Sequence, residues 1–345
     1  MVGGCGVLML QKRQGTGVHQ RHRRLRIRRA ARRARHLGHV VALTVLAVAC
    51  GDPREDEPLA ELVSAMPVTT SAIVAGTPSA SNDFPATGVI LYHSDDGNSP
   101  MGAMLCSGTL VAPDVVLAAG HCQEVFEQEN GPNVQYYFSL ARDVSRFGPL
   151  VTHLPEGAVP VRHFLPHPDY DISRPTRGLG RAADLGLFFL AEPVLGVAPA
   201  TLVSQQALEY LVAGARVTIV GYGRRLMTTF GGRDGGIKHQ GQSTIRSVGR
   251  YEMRVGSGDH DALKCNGDSG GPTYLHIDGP QGVIPLLVGI TSRAHDWAGC
   301  RTGGIDTRVD AFLPWIEESL AWGCQHQLRA YGCDPQKADL TTWGP

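Results

Sequence analysis

The chain has 345 residues, 42% hydrophobic and 19% charged, which is enough apolar material for a sizeable core and rules out a disordered tail. Its formal charge of zero hides an asymmetry: residues 1–49 hold 11 of the 32 Lys and Arg and no Asp or Glu, so the remainder sets 32 acidic against 21 basic side chains, a net −11. An acidic body argues against nucleic acid as a partner, because phosphate binding needs a basic face.

The first element in chain order is an Arg-rich run, Arg21–Arg35, the one candidate basic arm. It leads into the apolar stretch VVALTVLAVA, Val40–Ala49. Ten residues are too few to cross a bilayer. Basic residues, a short apolar core and Ala47-x-Ala49 instead form the three parts of an export signal, with cleavage before Cys50. The segment ahead of the apolar core is long for such a signal, and no Met lies between Met9 and Met66, so the true start is open. Cys50 at the cleavage point also resembles a lipoprotein signal, although Ala47 stands where that signal prefers Leu. Free secretion and a lipid anchor on the precursor in the cell envelope both stay open. Residues 50–72 are acidic, then small and polar, as in a linker or propeptide.

From Ile73 onward, short apolar runs alternate with turn clusters: GVILYH, AMLCSGTLV, VVLAAGHC, DLGLFFLAE, ARVTIVGYG, YEMRV and VIPLLVGIT. Gly and Pro together number 65 of 345, about a fifth against an average of roughly 12%, and punctuate the chain into short strands. The pattern predicts an all-β fold. A helix is expected late, over Ala311–Trp322, where apolar residues recur at helical spacing. Of eight cysteines, setting aside Cys5 and Cys50 leaves six, which allow three bridges in 15 connectivities. No CxxC or HExxH occurs, so neither a metal nor another cofactor is expected. Glu124, Glu127 and Glu129 read as solvated acids rather than a calcium loop.

Chemistry begins at Gly-Asp-Ser-Gly-Gly-Pro, residues 267–272. A serine is inert as a nucleophile until a base takes its proton and donors hold the oxyanion, and the glycines around Ser269 leave peptide N–H groups bare to a substrate. The same five residues would also suit a plain turn. In CSGTLVAPDVVLAAGHC, Cys106–Cys122, two apolar runs flank a Pro-Asp turn and end at His121, the candidate base. Asp184 opens the apolar strand DLGLFFL, where a carboxylate is costly unless paired; bonding the second ring N–H of His121 would satisfy it and set the tautomer. Asp169 and Asp171, in a polar loop, are weaker candidates for that role.

With His121, Asp184 and Ser269 in that order, and AAGHC, Asp-Leu-Gly-Leu and GDSGGP around them, the chain resembles the trypsin/chymotrypsin-like serine endopeptidase family over residues 73–322. The resemblance implies two six-stranded antiparallel β-barrels packed face to face with a C-terminal helix. They divide the chain into an N-terminal barrel at 73–200, a second barrel and helix at 201–322, and a tail at 323–345. It implies a catalytic triad of His121, Asp184 and Ser269, an oxyanion hole from the N–H groups of Gly267 and Ser269, and bridges Cys106–Cys122 and Cys265–Cys300. For Cys324 and Cys333 the family offers no guide, and a local staple is expected. It also implies cleavage before Ile73 by an activating protease, the new ammonium pairing with Asp268; uncut, the chain would leave Asp268 unpaired and the oxyanion loop misfolded, a zymogen.

Departures from the family pattern lie in the specificity residues. Leu263 stands where trypsin-like members carry Asp at the pocket floor, and Lys264 follows it. Ser292-Arg293-Ala294 would be the substrate-pairing strand, where the family has an aromatic residue and then Gly, and Gly304 would line the same pocket. These residues favour a small or medium apolar side chain before the cut bond of a protein or peptide substrate. A single gap would instead bring Asp261 or Asp259 to the floor and favour a basic one. The rival reading is a catalytically silent binding protein on the same scaffold. A monomer is the default.

Overall fold

The computed structural model describes residues 73–80, 82–94, 101–122, 134–147, 153–171, 178–223, 235–280, 282–295 and 299–333. The Arg-rich run, the export signal, Cys5, Cys50, the 50–72 linker and the three clustered glutamates lie outside them. Among the described residues no helix is long and apolar enough to cross a membrane.

Six strands, β2 (Thr87–Ser94), β3 (Met101–Ala112), β4 (Val115–Ala118), β5 (Val134–Ser139), β6 (Val159–Pro166) and β7 (Gly186–Leu190), close into an antiparallel barrel in the order β2-β3-β4-β7-β6-β5. β4 and β7 are buried along their whole length. Their unbroken apolar sequences, Val-Val-Leu-Ala and Gly-Leu-Phe-Phe-Leu, belong to strands covered on both faces. Phe188 packs on Phe164 with ring centroids 4.4 Å apart, and Phe189 turns outward to Trp322, 6.2 Å away. Each such ring is worth about 1.5–3 kcal/mol of burial.

The second barrel is built from β9 (Arg216–Gly221), β10 (His239–Val248), β11 (Glu252–Val255), β12 (Pro272–Gly279), β13 (Gly282–Ala294) and β14 (Gly304–Arg308), with β9–β10 pairing closing the ring. Two short strands attach to it: β1 (Thr77–Pro78) on β10, and β8 (Thr201–Leu202), parallel to β13. The start of the chain's first barrel therefore differs from the expected boundary at 73. Residues 73–80 run along the second barrel, where Val74 pairs with Leu263 and the Ser79 N–H donates to the Lys238 carbonyl at 3.0 Å.

A single turn of 3-10 helix at Asp310–Phe312 feeds α1 (Leu313–Gln325). Pro314 falls in the first turn, where its missing N–H costs nothing. Ile316, Leu320 and Gly323 form the buried stripe, while Glu317 and Glu318 face solvent. The helix runs three residues beyond the expected Trp322. It closes with the N–H of Leu328 on the Gly323 carbonyl at 2.9 Å, so the chain folds back over the end of the helix. Three disulfides form: Cys106–Cys122, Cys265–Cys300 and Cys324–Cys333.

Candidate active site

The pieces of the site come from both barrels and meet between them. His121 follows β4, one residue from Cys122, so the Cys106–Cys122 bridge fixes the end of the strand that carries it. Asp184 immediately precedes the buried strand β7. Its Oδ2 lies 2.8 Å from His121 Nδ1, and its Oδ1 accepts from the His121 backbone N–H at 3.0 Å. The carboxylate is shut away, with 6% side-chain exposure, whereas the imidazole keeps 22%, so the ring shows one edge to solvent.

The second barrel holds the carboxylate in place. Ser292 donates to Asp184 Oδ2 at 2.6 Å, and Thr307 donates to the Asp184 carbonyl at 3.0 Å. Ser292 sits where the β13–β14 register shifts, between Thr291 and Arg293. Such an irregularity re-aims a side chain; here the hydroxyl points out of the sheet toward the other barrel. Burial drives Asp184 toward protonation, but the charge of His121 and the hydrogen bonds from His121 and Ser292 outweigh it and hold its pKa below the usual carboxylate range. Burial likewise disfavours the His121 imidazolium; the Asp184 charge and hydrogen bond together win and raise its pKa. Neither Asp169 nor Asp171 makes this pair. Both line a cavity of about 500 Å³ with Tyr170, Arg181 and Phe312.

Ser269 enters through its backbone. Its carbonyl accepts from the Ser107 N–H at 2.8 Å, one residue from the disulfide beside His121. The next residue, Gly270, donates to the Thr291 carbonyl at 2.8 Å and packs so closely on the strand leading to His121 that a Cβ there would meet the Ala118 Cβ at 3.0 Å. Among the described residues no hydrogen bond joins the Ser269 hydroxyl to His121. Gly267 has φ +95°, a conformation only glycine adopts without strain, and its carbonyl accepts from Ser107 Oγ at 3.1 Å. Ser107 in turn accepts from the Tyr222 N–H at 3.0 Å. This buried serine ties the Ser269 loop to the first barrel, and sequence reasoning passed over it. Its one signal was a polar residue inside the apolar run that follows Cys106.

Asp268 points into the second barrel. It is fully buried and accepts from the N–H groups of Gly223 at 2.8 Å and Cys265 at 2.7 Å. The Gly-Tyr-Gly run at 221–223 is explained by it, since a Cβ on Gly223 would come within 2.6 Å of the carboxyl carbon. Burial raises the Asp268 pKa to about 7, against the pull of those two N–H groups and of the Lys264 charge. The Lys264 ammonium itself goes to Asp306, at 2.5 and 2.6 Å, and to Thr273 at 2.6 Å. Ile73 is fully buried, against Gly241. These contacts hold the loop from Cys265 to Gly271 against the second barrel.

Among the specificity residues, Leu263 is 5% exposed and exchanges two backbone hydrogen bonds with Val74. Ala294 is exposed and pairs with the buried Gly304, where a Cβ would come within 3.7 Å of the Lys264 side chain. Asp261 is consumed: its carboxylate accepts from Arg246, from Thr244 at 2.9 Å and from the Ser257 N–H at 3.0 Å. The side chain of Asp259 lies outside the described residues. Cys106, His121 and Cys122 bring three potential metal-binding atoms together, but both sulfurs are spent in the disulfide and offer no thiolate.

The sequence profile of the trypsin family matches residues 73–316. The chain is 26% identical to Melanization protease 1 of Drosophila melanogaster over 270 residues, covering 72% of this chain and 65% of that one. It is 27% identical to human Serine protease 56 over 258 residues, covering 71% of this chain and 38% of that one. With human Chymotrypsin-like elastase family member 1 it shares 25% identity over 281 residues, covering 74% of this chain and 95% of that one. The chain spans less than two thirds of the length of the first two of these relatives. Two closed antiparallel barrels, a C-terminal helix and a profile match over most of the length give one conclusion: the chain belongs to the trypsin/chymotrypsin-like family of serine proteases.

Proposed function

We propose that the protein is a secreted serine endopeptidase made as a zymogen, cleaving peptide bonds through an acyl-enzyme. The observation that carries this reading is the 2.8 Å contact between His121 Nδ1 and Asp184 Oδ2, buttressed by Ser292, at a cleft where the Ser269 loop is anchored. Ser269 attacks the scissile carbonyl. His121 accepts its proton and returns it to the leaving amine, and Asp184 holds the imidazole in the tautomer that presents a free Nε2. The N–H groups of Gly267 and Ser269 receive the oxyanion, where losing one donor costs about 10²- to 10³-fold. The serine–histidine hydrogen bond of such sites is commonly loose until substrate is bound.

Among the described residues, none of the carboxylates considered for the pocket floor is free for Arg or Lys. Leu263 offers an apolar floor, Asp261 is held by Arg246, and Asp306 is neutralised by Lys264. These features support a small or medium apolar side chain before the cut bond. Activation follows cleavage before Ile73, by a protease that accepts the small residues Thr70-Ser71-Ala72. The new ammonium then pairs with the buried Asp268, and the uncut chain leaves that carboxyl uncompensated and the oxyanion loop misfolded. If Cys50 carries lipid, the same cut frees residues 73–345 from the membrane.

Ser269→Ala should abolish hydrolysis of a fluorogenic peptide library while leaving the melting curve unchanged, and a serine-directed covalent probe should label the wild-type protein at Ser269. Retained turnover in that variant overturns the assignment. No labelling after N-terminal sequencing has confirmed an Ile73 start would favour a binding protein on the protease scaffold.

A further inference from the structure

The Ser292 hydroxyl has two partners: it donates to Asp184 Oδ2 at 2.6 Å, and it lies 3.2 Å from Arg293 Nη1. A guanidinium only donates, so the Ser292 oxygen accepts from Arg293 and its single proton is committed to Asp184. Arg293 is itself held in a two-pronged pair with Glu252, Nη1 to Oε1 at 2.6 Å and Nη2 to Oε2 at 3.0 Å, and Nη2 also donates to the Gly178 carbonyl at 2.9 Å. Glu252 is fully buried and accepts in addition from the Gly180 N–H. Gly178 and Gly180 lie in the segment that leads into Asp184. One ion pair therefore grips the catalytic carboxylate from both sides, through the strand that carries Ser292 and through the chain that delivers Asp184.

We propose that Arg293 and Glu252 are positioning residues for the candidate triad: they fix the Ser292 hydroxyl as a donor to Asp184, tether the approach to Asp184, and so set the basicity of His121. The inference rests on the triad reading above. A forked pair of this kind holds a plane as well as a charge, which a lysine does not reproduce. Among the described residues, few charged or titratable groups face the His121–Asp184 pair. Arg293 and Glu252 act through Ser292, and from the loop after β6 Tyr170 packs on Gly120, with Asp169, Asp171 and His167 around it. Asp268 turns away to Gly223 and Cys265.

The test is a proton NMR titration of the His121 imidazole in the full chain, assigned among the 14 histidines by its loss in His121→Gln, together with the acid limb of kcat/KM. Arg293→Met removes a cation and leaves the buried Glu252 charge bare. Both changes favour the imidazolium, so the His121 pKa and the acid limb should move up by on the order of half a pH unit. Glu252→Gln leaves the cation uncompensated and should move both down. Arg293→Lys keeps the charge but loses the fork, so the titration should stay near wild type while kcat falls several-fold. A melting curve establishes that each variant is folded; should Glu252→Gln fail to fold, the contrast between Arg293→Met and Arg293→Lys decides alone. Shifts in the same direction, or none, in folded variants overturn the proposal. Because the titration reads His121 without turnover, a protein that never hydrolyses peptide defeats the triad reading while the opposite shifts still stand or fall by themselves.

Discussion

Lys264 follows the residue that would floor the primary pocket, yet its ammonium turns inward to Asp306 and Thr273, with 3% of its side chain exposed and none of Asp306's. Burial lowers the Lys264 pKa, and the Asp306 charge and hydrogen bond work against that. Removing one member of a buried pair typically costs about 3–5 kcal/mol, because the other is left uncompensated, whereas replacing both is often near neutral. Lys264→Met should therefore lower the free energy of unfolding by about that amount in urea titration. Lys264→Met combined with Asp306→Asn should recover most of it at an unchanged slope. A double variant no more stable than the single would show that the pair does not carry the effect. The candidate triad stood out in the sequence because each residue sits in an unusual local context: a serine among glycines, a histidine at a strand end beside a cysteine, an aspartate opening an apolar strand. The residues that hold them were not. Thr307 and Glu252 carry no local anomaly and Ser107 only a polar residue in an apolar run, and their partners lie 123, 41 and 160 residues away along the chain. Lys264 stood out in the sequence only as a departure from the family pattern, since nothing near it announces Asp306, 42 residues on.

Composition revealed β2, β3, β4, β7, β9, β11 and much of β13, and the signal is clearest in β4, β7, β9 and the buried half of β13, where apolar residues run on without interruption. β5, β6, β10 and β14 escaped because their outer faces are only partly covered or, as in Gly-Ile-Asp-Thr-Arg, because a buried charge interrupts the run. The C-terminal tail shows the same limit at the scale of an element. Spacing alone marked Cys324 and Cys333 as a local staple, and the bridge forms, but the loop it closes reaches the other barrel. Asp114, in the β3–β4 turn, accepts from Arg329 Nε at 3.2 Å and from the N–H groups of Ala330 and Tyr331 at 2.8 and 3.1 Å. Both side chains of the pair are nearly inaccessible, at 4% and 3%. Asp114→Ala strips the acceptor from a buried guanidinium and two peptide donors at once, a loss of about 3–5 kcal/mol, or a fall in melting temperature on the order of 10 °C. Asp114→Asn, which still accepts, should lose less. A melting temperature unchanged in Asp114→Ala would mean that the tail rests on the barrel without stabilising it.

For the molecule as a whole, the sharpest dependence on conditions comes from Asp268, whose carboxyl is buried in the second barrel with no ion-pair partner among the described residues and a pKa of about 7. Its ordinary value is 3.8, so the folded form binds the proton more tightly than the unfolded one. The sign follows directly. Below about pH 4 both forms are protonated and nothing is lost; between about 4 and 7 the unfolded chain ionises while the folded one resists, and stability falls by about 1.4 kcal/mol per pH unit, roughly 4 kcal/mol in all. An ammonium created at Ile73 and placed beside Asp268 would favour its ionised form and cancel that loss. The melting temperature of the uncut chain should therefore fall progressively behind that of protein cut before Ile73 as pH rises from 4 to 8, so the gap between the two widens with pH. The other carboxylates titrate alike in both forms and drop out of the difference. Asp268→Asn should abolish the widening, because an amide has no charge to compensate. Parallel melting curves for cut and uncut protein across this range would show that the new terminus does not reach Asp268, and activation would then need a cause outside this buried carboxyl.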